Sequence, residues 1–552
     1  DDDPMLEQLD NNNNNNNEDD DDNNADDNGS NQDYVMEEID ESEDEGNDDN
    51  IDNDVPRGLD DTLDGPHWNN CVHTQYCMSV ISGYGNIEAT LSTPQYGFQK
   101  GLKVFEEDGY KATIKELDAN LIGRNVIDML PPGGITRDIF KMSLGYLMFL
   151  KRKRSGKIKA RGCADGRPQR EYITKDQSSS PTVANNALFA TCLVDAIEKR
   201  AVAICDIPGA FLQADWPQDE PCYIRFEGVM VDMICQIEPK YLDNVKHNKA
   251  HTRKWMVGKL SKAIYGTLLG ARLFYDKLRG ILEDWDFVIN DYDECTFNKM
   301  VDGKQLTVQF HVDDLKISHM DEDVIKHMVK DLNGIFGQDG TLLEASYGKI
   351  HEYLGMTIDY SEENVVKFTM YDYLEDILAE SPEDMKGIAV TPAHSKLFQV
   401  NPESDKLDNK TMDWFHRTVA RLLFASKRAR PDLQTAVAYL CTRVACPDRD
   451  DYGKLKKLIE YLRESIYLPL ILGWDESGIL TWSVDASFAV HMDMRSHTGM
   501  ALTLGRGAMI SGSYKQKINT KSSTESELVG VDDGMPFIMW IRLFYIEQFK
   551  SY

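Results

Sequence analysis

Two adjacent carboxylates interrupt an apolar stretch. Residues 306–318 read Leu-Thr-Val-Gln-Phe-His-Val-Asp-Asp-Leu-Lys-Ile-Ser, with Asp313 and Asp314 between two runs rich in Val, Leu, Phe and Ile. The alternation predicts strand, turn, strand, with both acids at the tip. Like charges side by side at the end of apolar strands cost stability unless a cation joins them. A divalent metal held by carboxylate oxygens is the simplest such cation. A solvated Asp-Asp turn is the alternative. Residues 201–212, Ala-Val-Ala-Ile-Cys-Asp-Ile-Pro-Gly-Ala-Phe-Leu, bring a third carboxylate. Here an apolar strand runs into Asp206, and Pro208-Gly209 break it. Three strand-end carboxylates can hold two metal ions for in-line phosphoryl transfer.

The elements around these acids set their context. Residues 151–170 are basic, with Lys151-Arg-Lys-Arg154, Lys157, Lys159, Arg161 and Arg167. Such a cluster contacts phosphates or forms a solvated hairpin. Residues 95–150 read as globular and partly helical, with a turn at Leu130-Pro-Pro-Gly-Gly134. An amphipathic helix is expected over 185–199, with an Asn at its start. Two helices broken at Pro431 are expected over 414–443, and a Lys-rich amphipathic helix over 453–466. Residues 347–360 read as a β-hairpin.

The net charge of −33 over 552 residues comes mostly from one end. Residues 1–65 hold about 27 acids and one Arg, leaving about −7 for the rest. The acidity therefore does not argue against a nucleic-acid partner. The segment, with its run of seven Asn, has too little apolar surface to offset its ordering entropy and is expected to be a disordered linker. His67, Cys71, His73 and Cys77 follow at a spacing too tight for a usual zinc finger. The ten cysteines are scattered, without a Cys-x-x-Cys, which suits a reducing intracellular compartment. No signal peptide and no apolar run of membrane-span length is present in this sequence. It begins Asp-Asp-Asp-Pro, which is read as a piece of a longer polyprotein.

In order, these motifs resemble the reverse transcriptase and ribonuclease H region of a copia-type LTR retrotransposon polyprotein. Asp206 with Phe211 five residues on, and later the Asp313-Asp314 hairpin, resemble a polymerase palm. Lys159-Ala-Arg161, Ser180-Pro-Thr-Val183, Lys259-Leu-Ser-Lys-Ala-Ile-Tyr-Gly266, Tyr353-Leu-Gly355 and Lys427-Arg-Ala-Arg-Pro-Asp432 resemble further family segments. Thr267, Leu268 and Leu269 depart from the family's Leu-Lys-Gln, and His311 stands where Tyr is usual. Asp485, then Arg495-Ser-His-Thr-Gly499, Ser513-Tyr-Lys-Gln516 and Ser522-Ser-Thr-Glu-Ser-Glu527, resemble the ribonuclease H part.

The resemblance implies an α+β fold: a right-hand polymerase with fingers and palm over 95–370 and thumb or connection over 371–470. A ribonuclease H-like α/β domain would follow over 471–552, after the tail 1–65 and a poorly defined segment 66–94. It implies two Mg²⁺ ions, replaceable by Mn²⁺, on Asp206, Asp313 and Asp314. Lys159, Arg161, Phe211, Tyr265 and Gly266 would contact the incoming nucleotide, with Phe211 excluding a ribose 2′-hydroxyl. Asp485 and Glu527 would be ribonuclease H ligands. The chain stops at Tyr552 before further carboxylates, so that domain is expected to be incomplete, with weak activity or none. Implied partners are an RNA template, a DNA primer, RNA–DNA hybrid, deoxynucleoside triphosphates and other polyprotein products such as integrase and capsid, with no membrane. The implied location is the cytoplasm, in virus-like particles, with the nucleus second. A non-catalytic nucleic-acid-binding remnant is the alternative, and a standalone ribonuclease a third reading.

Overall fold

Strand Ala201–Asp206 is buried from Val202 to Cys205, so apolar side chains on both its faces meet protein. It runs antiparallel between Asp314–His319 and Glu344–Gly348. Lys304–His311, Asp293–Val301 and Val288–Asn290 complete a six-stranded sheet. The computed structural model describes residues 95–153, 155–248, 251–337 and 341–549. The expected acidic linker, the segment 66–94 and the His67, Cys71, His73, Cys77 group lie outside the described residues. The chain divides into two units, Asp1–Gly85 with Asn248–Thr252, and Asn86–His247 with Arg253–Tyr552. Everything below concerns the second, a mixed α/β body.

Helix Glu322–Phe336 buries Ile325, Met328, Val329, Leu332 and Phe336, the spacing of a one-sided apolar stripe. Helix Asn185–Ile197 is different, and corrects the amphipathic expectation. Its residues from Ala187 to Ala196 are all buried. The reason is cover on several sides: Thr191 bonds Gln309 of the six-stranded sheet, Phe189 packs edge-on against Phe368 of another sheet, and the Tyr545 hydroxyl reaches the Ala190 carbonyl. The expected Asn cap is also absent. The carboxylate of Asp293 accepts the Ala184 N–H at 3.0 Å instead. Beneath the sheet, Asp195 pairs with Lys316 at 2.5 Å and lies 4.0 Å from Arg200, with all three side chains 1% exposed. Burial of Lys316 is tolerable only because that carboxylate is there.

The basic stretch forms a hairpin, Leu144–Arg152 with Ile158–Ala164, pairing Lys151 with Lys159 and Phe149 with Arg161. It belongs to a seven-stranded sheet with Gln95–Gly97, Tyr223–Glu227, Lys254–Leu260 and shorter strands. Helix Phe98–Glu116 lies close on it, since a Cβ at Gly101 would meet Leu150 at 2.9 Å.

A five-stranded sheet joins Ile350–Tyr353, Met356–Asp359 and Val365–Thr369 to Leu470–Trp474 and Gly505–Arg506. The boundaries expected at 370 and 470 thus run through one sheet, because distant segments pair there. Helices Asn409–Ser426 and Gln434–Cys441 lie either side of Pro431 as expected, and the first and the third, Arg449–Glu464, each begin four to five residues before the expected start. The last segment forms a three-stranded sheet, Thr481–Ser487, His497–Thr503 and Ile510–Lys515, and one helix, Ser523–Gln548. The first half of that helix packs on this sheet, where a Cβ at Gly534 would meet Trp482 at 2.5 Å. Its second half reaches the six-stranded sheet: Trp540 donates to the Tyr292 carbonyl at 2.8 Å, and Gln548 bonds Asn298, Gln305 and Thr307. No helix among the described residues is long and apolar enough to cross a membrane.

Candidate active site

The acids lie at one end of the six-stranded sheet. Asp206 is the last residue of its strand and stands opposite Asp314 on one side and Glu344 on the other. Asp313 occupies a two-residue turn between His311 and Asp314, and its carbonyl accepts the Ile207 N–H at 3.0 Å. That bond ties the turn to the strand bearing Asp206. Val312, the first turn residue, has φ +60°. This left-handed conformation is one that glycine usually fills, so a β-branched side chain there is strained. Tyr353, buried, donates from its hydroxyl to the Asp314 carbonyl at 3.3 Å.

The electrostatics of the acids report their neighbours. Burial raises the Asp206 carboxyl above its ordinary range; Glu344 raises it further and Lys159 lowers it. The Asp313 carboxyl is also raised, first by burial and then by Asp206, with Arg161 and Lys159 opposing. Lys159 is lowered by burial, then by Arg161 and Lys153. The basic hairpin therefore faces the carboxylates. Arg161 lies over the Tyr265 ring at 5.3 Å, and Tyr265 packs against Phe211 with ring centroids 4.6 Å apart. Burial and then Asp313 push the Tyr265 hydroxyl up to about 12. Asp206, Asp313, Lys159, Arg161, Tyr265 and Phe211 thus share one neighbourhood. Gly266, the remaining expected nucleotide contact, is held by backbone: it has φ +88°, and a Cβ there would meet the Ala164 carbonyl at 2.1 Å.

Residues that motif reading missed complete this neighbourhood. Glu344 is a fourth carboxylate, exposed on an edge strand. Glu116 accepts the Gly162 N–H at 3.1 Å, next to Arg161, and receives Asn120 on its other oxygen at 2.9 Å. Arg428 is close enough to His311 to help burial lower that imidazole. No local pattern marks these residues; only register and long-range packing bring them in.

The donor set suits a hard divalent cation: carboxylates gathered at one end of the sheet, with Asp206 and Asp313 each raised by burial and by a neighbouring acid. Among the described residues the tightest carboxylate group lies elsewhere, at Asp448, Asp450 and Asp451, each with an oxygen within 4.8 Å of the others. Asp448 and Asp451 form a capping box on helix Arg449–Glu464, and Arg443 and Lys454 pair with the three. The fold itself accounts for that cluster. In the last segment, Gly530 and Gly534 of the helix that carries Glu527 pack on Val484 and Trp482. Alternation sets Asp485, with exposed Ser483 and Ser487, on the other face of the strand.

Residues 142–392 match the family described as reverse transcriptase (RNA-dependent DNA polymerase). The chain is 24% identical over 398 residues to the retrovirus-related Pol polyprotein from transposon TNT 1-94 of Nicotiana tabacum, covering 71% of this chain and 28% of that relative. It is 24% identical over 446 residues to the retrovirus-related Pol polyprotein from transposon RE2 of Arabidopsis thaliana, covering 80% of this chain and 28% of the relative. The chain from transposon RE1 of the same plant is 23% identical over 426 residues, with 76% and 27% covered. The chain therefore spans under a third of the length of these relatives.

Proposed function

We propose, for a chain whose residues 142–392 match the reverse transcriptase family, that it is an RNA-directed and DNA-directed DNA polymerase adding deoxynucleotides to a primer 3′-hydroxyl. The observation that carries this is the convergence of two cations and two rings on the strand-end carboxylates. In this reading Asp206 and Asp313 hold Mg²⁺, or Mn²⁺ in its place, and Asp314 adds charge. When bound, the two ions lower the pKa of the 3′-hydroxyl and neutralise the leaving pyrophosphate.

The chain's own groups do the rest. Lys159 and Arg161 take the triphosphate oxygens, and their charge grows in value as water leaves. Arg161 is already oriented by the Tyr265 face. Phe211, backed by Tyr265, fills the space a ribose 2′-hydroxyl would need, which selects deoxynucleotides by clash. Gly266 lets Tyr265 sit against the basic hairpin. The hairpin acts as fingers, the six-stranded sheet as palm, and the helices over 409–464 as a thumb along the primer–template duplex. In the ribonuclease H-like piece, Asp485 and Glu527 are expected to give weak nuclease activity or none. The setting is a virus-like particle, with template RNA and the other products of a polyprotein.

The test is primer extension on an RNA template with Mg²⁺ and deoxynucleotides, comparing the chain with Asp313→Asn. Extension that falls at least about a thousandfold in the variant is expected, since one member of a catalytic unit is lost. Binding of primer–template without extension in the parent chain would instead establish a nucleic-acid-binding remnant.

A further inference from the structure

Helix Ser523–Gln548 buries one side, through residues such as Gly530, Gly534, Ile541 and Phe544. The opposite side is open. Leu528 is 67% exposed, Met535 42%, Met539 42% and Ile546 48%. At 100° per residue these four fall within about 40° of one another around the axis. They line one side of the helix from Leu528 to Ile546, about 27 Å of its length. Scattered apolar residues at a surface need no explanation, but apolar residues aligned on one side of a helix do. Two charged residues lie along it, Asp532 and Arg542, both exposed. Among the described residues neither has an ion-pair partner.

The stripe reads the same from both ends. About Phe537, Leu528 and Ile546 lie nine residues to either side, Asp532 and Arg542 five, and Met535 and Met539 two. Large apolar matches large apolar, and acid matches base. A surface that is complementary to its own reversal fits a two-fold axis.

We propose that this stripe is an interface with a second copy of this chain, the two helices packing antiparallel about an axis at Phe537. Leu528 then meets the partner's Ile546, Met535 meets the partner's Met539, and Asp532 meets the partner's Arg542, each contact made twice. A parallel pair would set acid on acid and base on base, so the charges choose the direction. One helix face is smaller than the roughly 800 Å² per partner of a standard stable interface, so association depends on concentration.

Sedimentation of the full 552-residue chain without nucleic acid, from nanomolar to tens of micromolar, tests this. The mass is expected to rise from 62.8 kDa to twice that value. Asp532→Arg alone and Arg542→Asp alone each weaken association at least about tenfold, by setting like charges together twice. The double variant Asp532→Arg with Arg542→Asp restores it, which a variant that merely misfolds would not do. A chain that stays monomeric throughout, or a dimer indifferent to both single swaps, overturns the proposal.

Discussion

Phe211 carries the most specific chemical claim at the residue scale. Its ring is half-buried and fixed by Tyr265 at 4.6 Å, so it does not swing away when a sugar approaches. Tyr265 is itself held by Arg161 and by the backbone of Gly266. A rigid ring discriminates because its displacement costs packing on two sides. Phe211→Ala is therefore expected to raise ribonucleotide use relative to deoxynucleotide use by about tenfold or more, the range one steric contact supports. Competing the two substrates in single-turnover extension measures the ratio, and an unchanged ratio would remove Phe211 from the role. The same scale explains why Glu344 escaped motif reading. It is a lone acid, far in sequence from Asp206, and only the pairing of Glu344–Gly348 with Ala201–Asp206 sets the two opposite each other.

At the scale of elements, the site depends on close approach between the basic hairpin and the loop after Leu260. Ala164 donates its N–H to the Tyr265 carbonyl at 2.8 Å, and Gly266 follows with no room for a side chain. Gly266→Ala combines a left-handed φ of +88° with a backbone clash, so a loss of about 2–4 kcal/mol is expected. Gly134→Ala is the control: its φ is not left-handed and its nearest neighbour is Pro131 at 3.5 Å. Thermal melts of the two should differ by several degrees, and equal melts would contradict the tight approach. The strand end at Asp206 and the turn bearing Asp313 were legible because alternation and Pro-Gly breaks are local signals. Helix Asn185–Ile197 was legible as a helix but not in its burial. Nothing in its own sequence tells that Phe368 and Tyr545 cover it. The one-sheet union of Val365–Thr369 with Leu470–Trp474 was likewise hidden, since register between strands a hundred residues apart leaves no periodic mark.

For the molecule as a whole, the joint between the last segment and the helices before it has a pH signature. His491 and His497 share a hydrogen bond of 3.1 Å, and His497 continues to the Ser513 hydroxyl, which donates to Thr435 on helix Gln434–Cys441. Phe398 packs on both rings. Burial pushes each imidazole down to about 4, with Lys515 adding to the effect on His491 and His491 to that on His497. The unfolded chain titrates near the ordinary 6.5. Between these limits the unfolded state holds more protons than the folded one, so stability falls as pH drops from about 6.5 toward 4. The first proton denied to the pair is worth about 3 kcal/mol over that window. Above 6.5 both states are neutral at these rings and the effect vanishes. His497→Gln keeps a side chain able to bond Ser513 and removes one titrating ring. It is expected to be somewhat less stable than the parent at pH 7.5 and to lose less on acidification to pH 5. Denaturant melts of both chains at the two pH values give the comparison directly. Carboxylates elsewhere titrate in both chains and cancel in the difference. Equal losses in parent and variant would mean that the paired imidazoles do not stay neutral in the folded joint.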